Sequence, residues 1–133
     1  MKNLKHLISR VASSWLQKVA LFTQPTPTEI AAHLLEAAKL FQRLSGQRFV
    51  KLTPDTKGGL VGKIVGVGPM MNAVVYVHWQ VIGGEYKVRV YNDLDDILEA
   101  KTFALPTVWQ KGANFAAGVA SALFDKVEER LAS

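Results

Sequence analysis

Apolar residues recur with a helical period over the first third of the chain. Across residues 1–24 they fall at every third or fourth position, and basic and hydroxylated side chains occupy the opposite face. Two prolines interrupt this pattern, and a second helical pattern follows in which Thr26 and Glu29 have the spacing of a capping box. The sequence therefore predicts two N-terminal helices, an amphipathic basic helix over residues 1–24 and a second helix over residues 25–46.

The period of the apolar positions changes to two after residue 46. Four short apolar runs, separated by turns that contain glycine or proline, predict an antiparallel β-unit over residues 47–92. The predicted strands cover residues 49–52, 60–67, 73–82 and 85–91.

A glycine pair at residues 83–84 joins the last two predicted strands and sets their register. A two-residue turn there places Trp79 opposite Val88 and His78 opposite Arg89. One face of the hairpin is then apolar and the other polar, and a shift by one residue would mix the two sets. We therefore expect Trp79 and Val88 to be buried and His78 and Arg89 to share the opposite face.

The segment 93–133 is predicted to form the C-terminal helices of a single α+β domain that spans residues 1–133. Asn92 precedes three aspartates that suit the first turn of a helix, which predicts a short acidic helix. A long final helix is predicted to begin near Pro106 and to carry a flat strip of small residues. The strip, which would let a helix, the sheet or a partner protein approach closely, consists of Gly112, Ala116 and Ala120.

The charge of the chain is unevenly distributed. The net charge is +5, with the basic excess in residues 1–22 and 47–92, while residues 93–133 are acidic. A basic surface attracts nucleic acid, anionic lipid or an acidic protein, and charge alone does not choose among them. The chain has no cysteine, which excludes disulfides and thiolate ligands and fits a cytoplasmic location. No signal peptide or transmembrane segment is expected, because charged residues interrupt every long apolar run.

Residues 47–97 resemble a small SH3-like β-barrel of the KOW or Tudor kind. The resemblance lies in segments 48–52, 59–65, 74–79 and 83–90, with a glycine-valine second strand, a third strand that ends in Trp79, and a Tyr-x-Val fourth strand followed by Leu94. It implies a four- to five-stranded antiparallel SH3-like barrel or curled sheet. Because members of this fold mostly bind nucleic acid or peptides, it also implies a binding protein whose ligand is not specified.

The sequence contains no arrangement that points to catalysis. The glycines between Gly59 and Gly68 lack the spacing of a phosphate-binding loop. Of the three histidines only His33 has carboxylates within a helical turn, Glu29 and Glu36, and no second histidine joins them. We therefore expect a non-enzymatic protein with no catalytic residues, no metal site and no cofactor.

One face of the predicted hairpin combines aromatic and basic side chains. Aromatic rings among cations suit stacked bases and phosphates, which makes this face a candidate nucleic-acid interface. A solvated sheet face, or one covered by a helix, is the alternative interpretation. The candidate residues are Lys63, Tyr76, His78, Lys87, Arg89 and Tyr91.

Two other classes of function stay open. A structural or adaptor protein would dock a protein partner, or a second copy of itself, through the small-residue strip. A peripheral membrane protein would use the cationic face of the first helix on an anionic surface, although that helix could instead pack on its own domain. The residues that would contact the membrane are Lys2, Lys5, Arg10, Trp15 and Lys18.

Overall fold

The computed structural model describes residues 25–67 and 73–132 as an α+β fold with a five-stranded antiparallel sheet. The first predicted helix, with its five membrane-surface residues, lies outside the described residues. The elements are helix α1 (Pro27–Ser45), a short 3-10 turn (Gly46–Arg48), strands β1 (Phe49–Pro54), β2 (Leu60–Val65), β3 (Val74–Ile82), β4 (Glu85–Asn92) and β5 (Ile97–Ala104), and helix α2 (Leu105–Ala132).

Helix α1 begins and ends where its capping residues require. The Thr26 hydroxyl accepts from the Glu29 backbone N–H at 3.2 Å, and the Glu29 carboxylate accepts from the Thr26 N–H at 2.8 Å. Both bonds satisfy donors that the first helical turn leaves unpaired. At the other end Gly46 has a φ of +63°, a conformation that glycine adopts without strain. The predicted capping box is confirmed.

The sheet is a meander in which each strand pairs with the next along the chain. The predicted register of the central hairpin is confirmed, since Trp79 pairs with Val88 and His78 with Arg89. The first four strands match the predicted ones to within two residues at each end.

The sheet is open rather than closed into a barrel. The strand order runs linearly from β1 to β5, so that these two strands form its opposite edges. Helices α1 and α2 both pack on one face of the sheet, and their apolar side chains bury the residues that a barrel would bury by closing on itself. The SH3-like barrel is therefore not found, and the structure has instead an open five-stranded antiparallel sheet.

The prediction of a short acidic helix after Asn92 is wrong, because this segment forms a turn and then strand β5. The Asn92 side-chain oxygen accepts from the backbone N–H groups of Leu94 and Asp96 at 2.9 and 3.0 Å. This asparagine therefore stabilises a turn, in which Asp95 has a φ of +65°. Strand β5 then pairs with β4 along most of its length.

Helix α2 is long, as predicted, and is broken at Gly112. This glycine has a φ of 76° and a ψ of −173°, which are not helical values. The two other residues of the small-residue strip, Ala116 and Ala120, are buried in the protein's own core. Small side chains here let α2 lie close to the rest of the core, where Ala37 and Ala38 of α1 are also buried.

Aromatic rings fill the core between the sheet and the helices. The Phe41 ring lies with its centroid 5.5 Å from Trp79 and 6.1 Å from both Phe49 and Phe124, each in an edge-to-face arrangement. Trp79 is fully buried, as predicted for its position in the hairpin. The predicted burial of Val88 beside it is also confirmed, and Val77 and Val90 are buried in the same core.

Candidate functional site

All six residues of the predicted interface lie on the side of the sheet that faces away from α1 and α2. Successive side chains of a strand point to opposite faces, and the alternate residues Val77 and Trp79 belong to the core. Among the described residues, neither helix covers this side. We call it the open face, and its predicted members are Lys63, Tyr76, His78, Lys87, Arg89 and Tyr91.

Two tyrosines form the centre of the open face. Tyr76 and Tyr91 are opposite each other on β3 and β4, and their rings stack with centroids 5.4 Å apart and an interplanar angle of 20°. Lys63 of β2 stands beside Tyr76 in the same row across the sheet. Both rings are half-buried, so that each is held in place and still reaches the surface.

Lys51 extends this row and was not among the predicted residues. It is exposed on β1 and pairs in register with Lys63. Two like charges in directly opposite positions repel each other. The alternation of β1 could have indicated Lys51, since it lies between Val50 and Leu52, but the bulge near the start of β1 changes the register there.

His78 and Arg89 belong to a hydrogen-bonded network on the same face. Arg89 Nη2 lies 2.6 Å from His78 Nδ1 and 3.2 Å from Gln80 Oε1, and His78 Nε2 lies 2.5 Å from Asp55 Oδ2. A guanidinium group can only donate, so Nδ1 accepts and Nε2 carries the hydrogen that is donated to Asp55. The network therefore connects the β1–β2 loop, β3 and β4.

Asp55 holds the β1–β2 loop against the sheet. Its Oδ1 accepts from the backbone N–H groups of Lys57 and Gly59 at 2.8 and 2.6 Å. Burial by itself would raise the pKa of Asp55, but the hydrogen bonds from His78 and from these two N–H groups outweigh it, and the pKa lies below its ordinary value. Asp55 was missed in the sequence, although an aspartate shortly before two glycines is typical of a side-chain-stabilised turn.

The network occupies both ring nitrogens of His78. A histidine that acts as a general base needs a ring nitrogen directed at the substrate. Both ring nitrogens of His78 are bonded to protein groups, one to Arg89 and the other to Asp55. The arrangement fixes the loop and orients the Arg89 guanidinium.

An open depression of about 300 Å³ lies beside the tyrosine pair. Burial raises the pKa of Tyr91 in its wall, although the nearby Arg89 charge acts in the opposite direction. The phenol of Tyr91 is therefore protonated at neutral pH and available as a hydrogen-bond donor. The residues that line the depression are His78, Arg89, Tyr91, Asp95 and Ile97.

The small-residue strip predicted on the final helix does not form a continuous exposed surface in the structure. Ala116 and Ala120 are buried, and Gly112 lies at the break in α2. Within residues 25–67 and 73–132, no three side chains of histidine or carboxylate type come together so as to hold a metal ion. None of the described helices combines the length and the apolar character needed to cross a membrane.

Comparison with known proteins does not add to this picture. The chain matches no protein-family model, no curated protein and no solved structure. The functional argument therefore rests on the open face itself.

Proposed function

We propose that this protein is a non-enzymatic, nucleic-acid-associated protein that binds single strands on the open face. The observation that carries the proposal is the stacked pair of Tyr76 and Tyr91, which lies among cations on a side of the sheet that no described helix covers. We also propose a cytoplasmic location, which the absence of cysteine supports.

A single strand fits this surface better than a duplex does. Splayed bases can stack on half-buried aromatic rings, whereas the bases of a duplex are already stacked on one another. Within the described residues, no helix projects from the open face towards a major groove. The central position of the tyrosine pair suits one or two bases, with the backbone running past it.

The cations around the tyrosines are placed to contact phosphates. Lys51 and Lys63 lie next to each other at one end of the tyrosine row, and an anion between them would relieve their repulsion. Lys87 lies on β4, and its nearest acidic atom, on Glu85, is 4.0 Å away. Phosphate contacts release counterions, so binding on this face should weaken steeply as salt is added.

Charge reversal on the open face tests the proposal. We expect the wild-type protein to bind a fluorescent oligothymidylate at low salt, and a Lys63→Glu, Lys87→Glu variant to lose most of that affinity. These positions avoid Arg89, whose guanidinium holds the His78 network together. The matched control is Lys39→Glu, Lys126→Glu, which makes the same change in net charge at exposed positions on the two helices.

Titration at low and moderate salt, with both variants shown to be folded by circular dichroism, measures the effect. Equal loss of affinity in the two variants would assign the binding to net charge alone and contradict a site on the open face. Absence of binding by the wild-type protein at low salt would reject the nucleic-acid function and favour the adaptor alternative.

A further inference from the structure

Strand β5 forms an edge of the sheet that has neither a proline nor a bulge over residues 99–104, and its charged side chains are Glu99 and Lys101. The described part of the chain places only β4 beside it. The opposite edge strand, β1, has both a bulge near its start and a proline at residue 54. These two features block the addition of another strand, so only the β5 edge presents a regular row of backbone donors and acceptors.

The charges on β5 are complementary to themselves in one register. Residues that lie directly opposite each other in an antiparallel pair point to the same face of the sheet. Two copies of β5 whose faces match can therefore be shifted along each other only by an even number of residues. Alignment about Glu99 or about Lys101 would place like charges opposite each other. Alignment about Ala100 instead pairs Glu99 of each copy with Lys101 of the other, and does so twice. Within its own chain Glu99 already accepts from Arg130 of α2 at 3.0 Å, and its second carboxylate oxygen would accept from Lys101 of the other copy.

An apolar groove lies next to this edge, between β5 and α2. It has a volume of about 340 Å³ and is lined by apolar side chains such as Phe103, Phe115 and Val119, together with Lys101 and Lys126. The Phe103 and Phe115 rings pack edge to face with centroids 5.3 Å apart. A second copy joined at β5 would bring its own groove to the other side of the twofold axis, where the two apolar surfaces face each other.

We propose that two copies of this chain associate through β5 to form a twofold-symmetric dimer with a continuous ten-stranded sheet. Such an interface is isologous, because the same strand contributes to both sides. The backbone groups at the edge supply the hydrogen bonds, and the Glu99–Lys101 pairs select the register. The open faces of the two copies would then lie side by side on one surface.

Reversal of the charges on β5 tests the register. We expect sedimentation equilibrium of the full chain to show a dimer, and Lys101→Glu or Glu99→Lys to weaken it at least tenfold. The variant Glu99→Lys, Lys101→Glu, made together with Arg130→Glu so that residue 99 keeps an oppositely charged neighbour on α2, should restore the dimer, because the reciprocal pairs form again with their charges exchanged. Lys57→Glu in the β1–β2 loop is the control and should leave association unchanged.

Cysteine cross-linking provides a second test that does not depend on affinity. The chain has no natural cysteine. In the proposed dimer Ala100 lies opposite Ala100 of the other copy, within reach of a disulfide, whereas the two copies of Thr102 are about 13 Å apart along the strands. We expect Ala100→Cys to cross-link on mild oxidation and Thr102→Cys to remain uncross-linked.

Three results would overturn the proposal. The first is a wild-type protein that stays monomeric at every concentration that remains soluble. The second is a dimer that is insensitive to the charge on β5. The third is a charge-exchanged variant, carrying Arg130→Glu as well, that folds, as judged by circular dichroism, but fails to recover the association lost in the single variants.

Discussion

His33 is a histidine that is half-buried between aromatic rings. Its ring stacks on Trp109 with centroids 4.2 Å apart and meets the edge of Tyr86 at 5.5 Å. Within the described residues its buried Nε2 has no hydrogen-bond partner. Burial therefore lowers the pKa of His33 below its ordinary value of 6.5, because a charged ring would lose its hydration without gaining a partner.

This depressed pKa predicts a loss of stability in mild acid. Below pH 6.5, the ordinary value, the unfolded chain takes up a proton at His33 while the folded protein does not. The unfolded state then binds more protons, so the free energy of unfolding falls as the pH falls through this range. Replacement of His33 by phenylalanine keeps a ring against Trp109 and should flatten this dependence.

Chemical denaturation of both proteins between pH 7 and pH 5 measures the effect. His6 and His78 are present in both, so the difference between the two curves reports on His33 alone. Asp55 affects the free energy of unfolding in a different pH range from His33. A carboxylate with a lowered pKa loses its stabilising effect only below its ordinary pKa, which is 3.8 for Asp55. Parallel curves for the two proteins would contradict the assignment.

The residues of the open face differ in how far the sequence could predict them. His78 and Arg89 were found because the glycine turn and the period of two determine which side chains are opposite. Asp55 was not, because its contact with His78 joins positions 23 residues apart through a loop whose path depends on the folded sheet. Side-chain alternation predicts a face, but it does not predict which loop folds over it.

At the scale of the element, strand β5 shows that local sequence preferences can predict a helix where the fold has a strand. Asn92 and the aspartates after it favour a helix start, and most of the residues that follow are good helix formers. The structure uses the same asparagine to close a turn, and pairing with β4 outweighs the local preference. Strand propensity is decided largely by the neighbouring strand, which a single sequence does not show.

Gly62 in β2 is explained by packing rather than by a bend or a phosphate loop. A Cβ added at this position would lie 2.8 and 2.9 Å from atoms of the Phe49 ring and 3.3 Å from the Trp79 ring. Both rings belong to the core, where they have little room to move. Glycine therefore creates the space in which two aromatic side chains pack on the strand.

We expect Gly62→Ala to destabilise the fold by about 1–3 kcal/mol, since overpacking forces core side chains from their preferred positions. Gly118 in α2 is the matched control, because a Cβ there meets nothing within 4 Å. Gly118→Ala should stabilise the protein by about 1 kcal/mol through the better helix propensity of alanine. Thermal and denaturant unfolding measure both changes. Equal effects of the two substitutions would contradict the packing explanation.

At the scale of the whole molecule, the sheet separates two different surfaces. One side packs against α1 and α2 and forms the core, while the other carries the tyrosine pair and its cations. Most of the acidic residues after Asn92 lie on the turn before β5 and on α2. Asp95 of this turn also lines the depression on the open face. Under the proposed function, a polyanion would contact the cations of that face without opening the core.

The three tyrosines of the chain allow the central claim to be tested in one experiment. Tyr76 and Tyr91 lie on the open face, and Tyr86 is fully buried in the core on the other side of the sheet. Nucleobases that stack on a ring shift the NMR signals of its protons. Titration with oligothymidylate at low salt should therefore move the ring-proton signals of Tyr76 and Tyr91 and leave those of Tyr86 unchanged. Signals from all three rings that stay in place, or that shift together, would contradict binding on the open face.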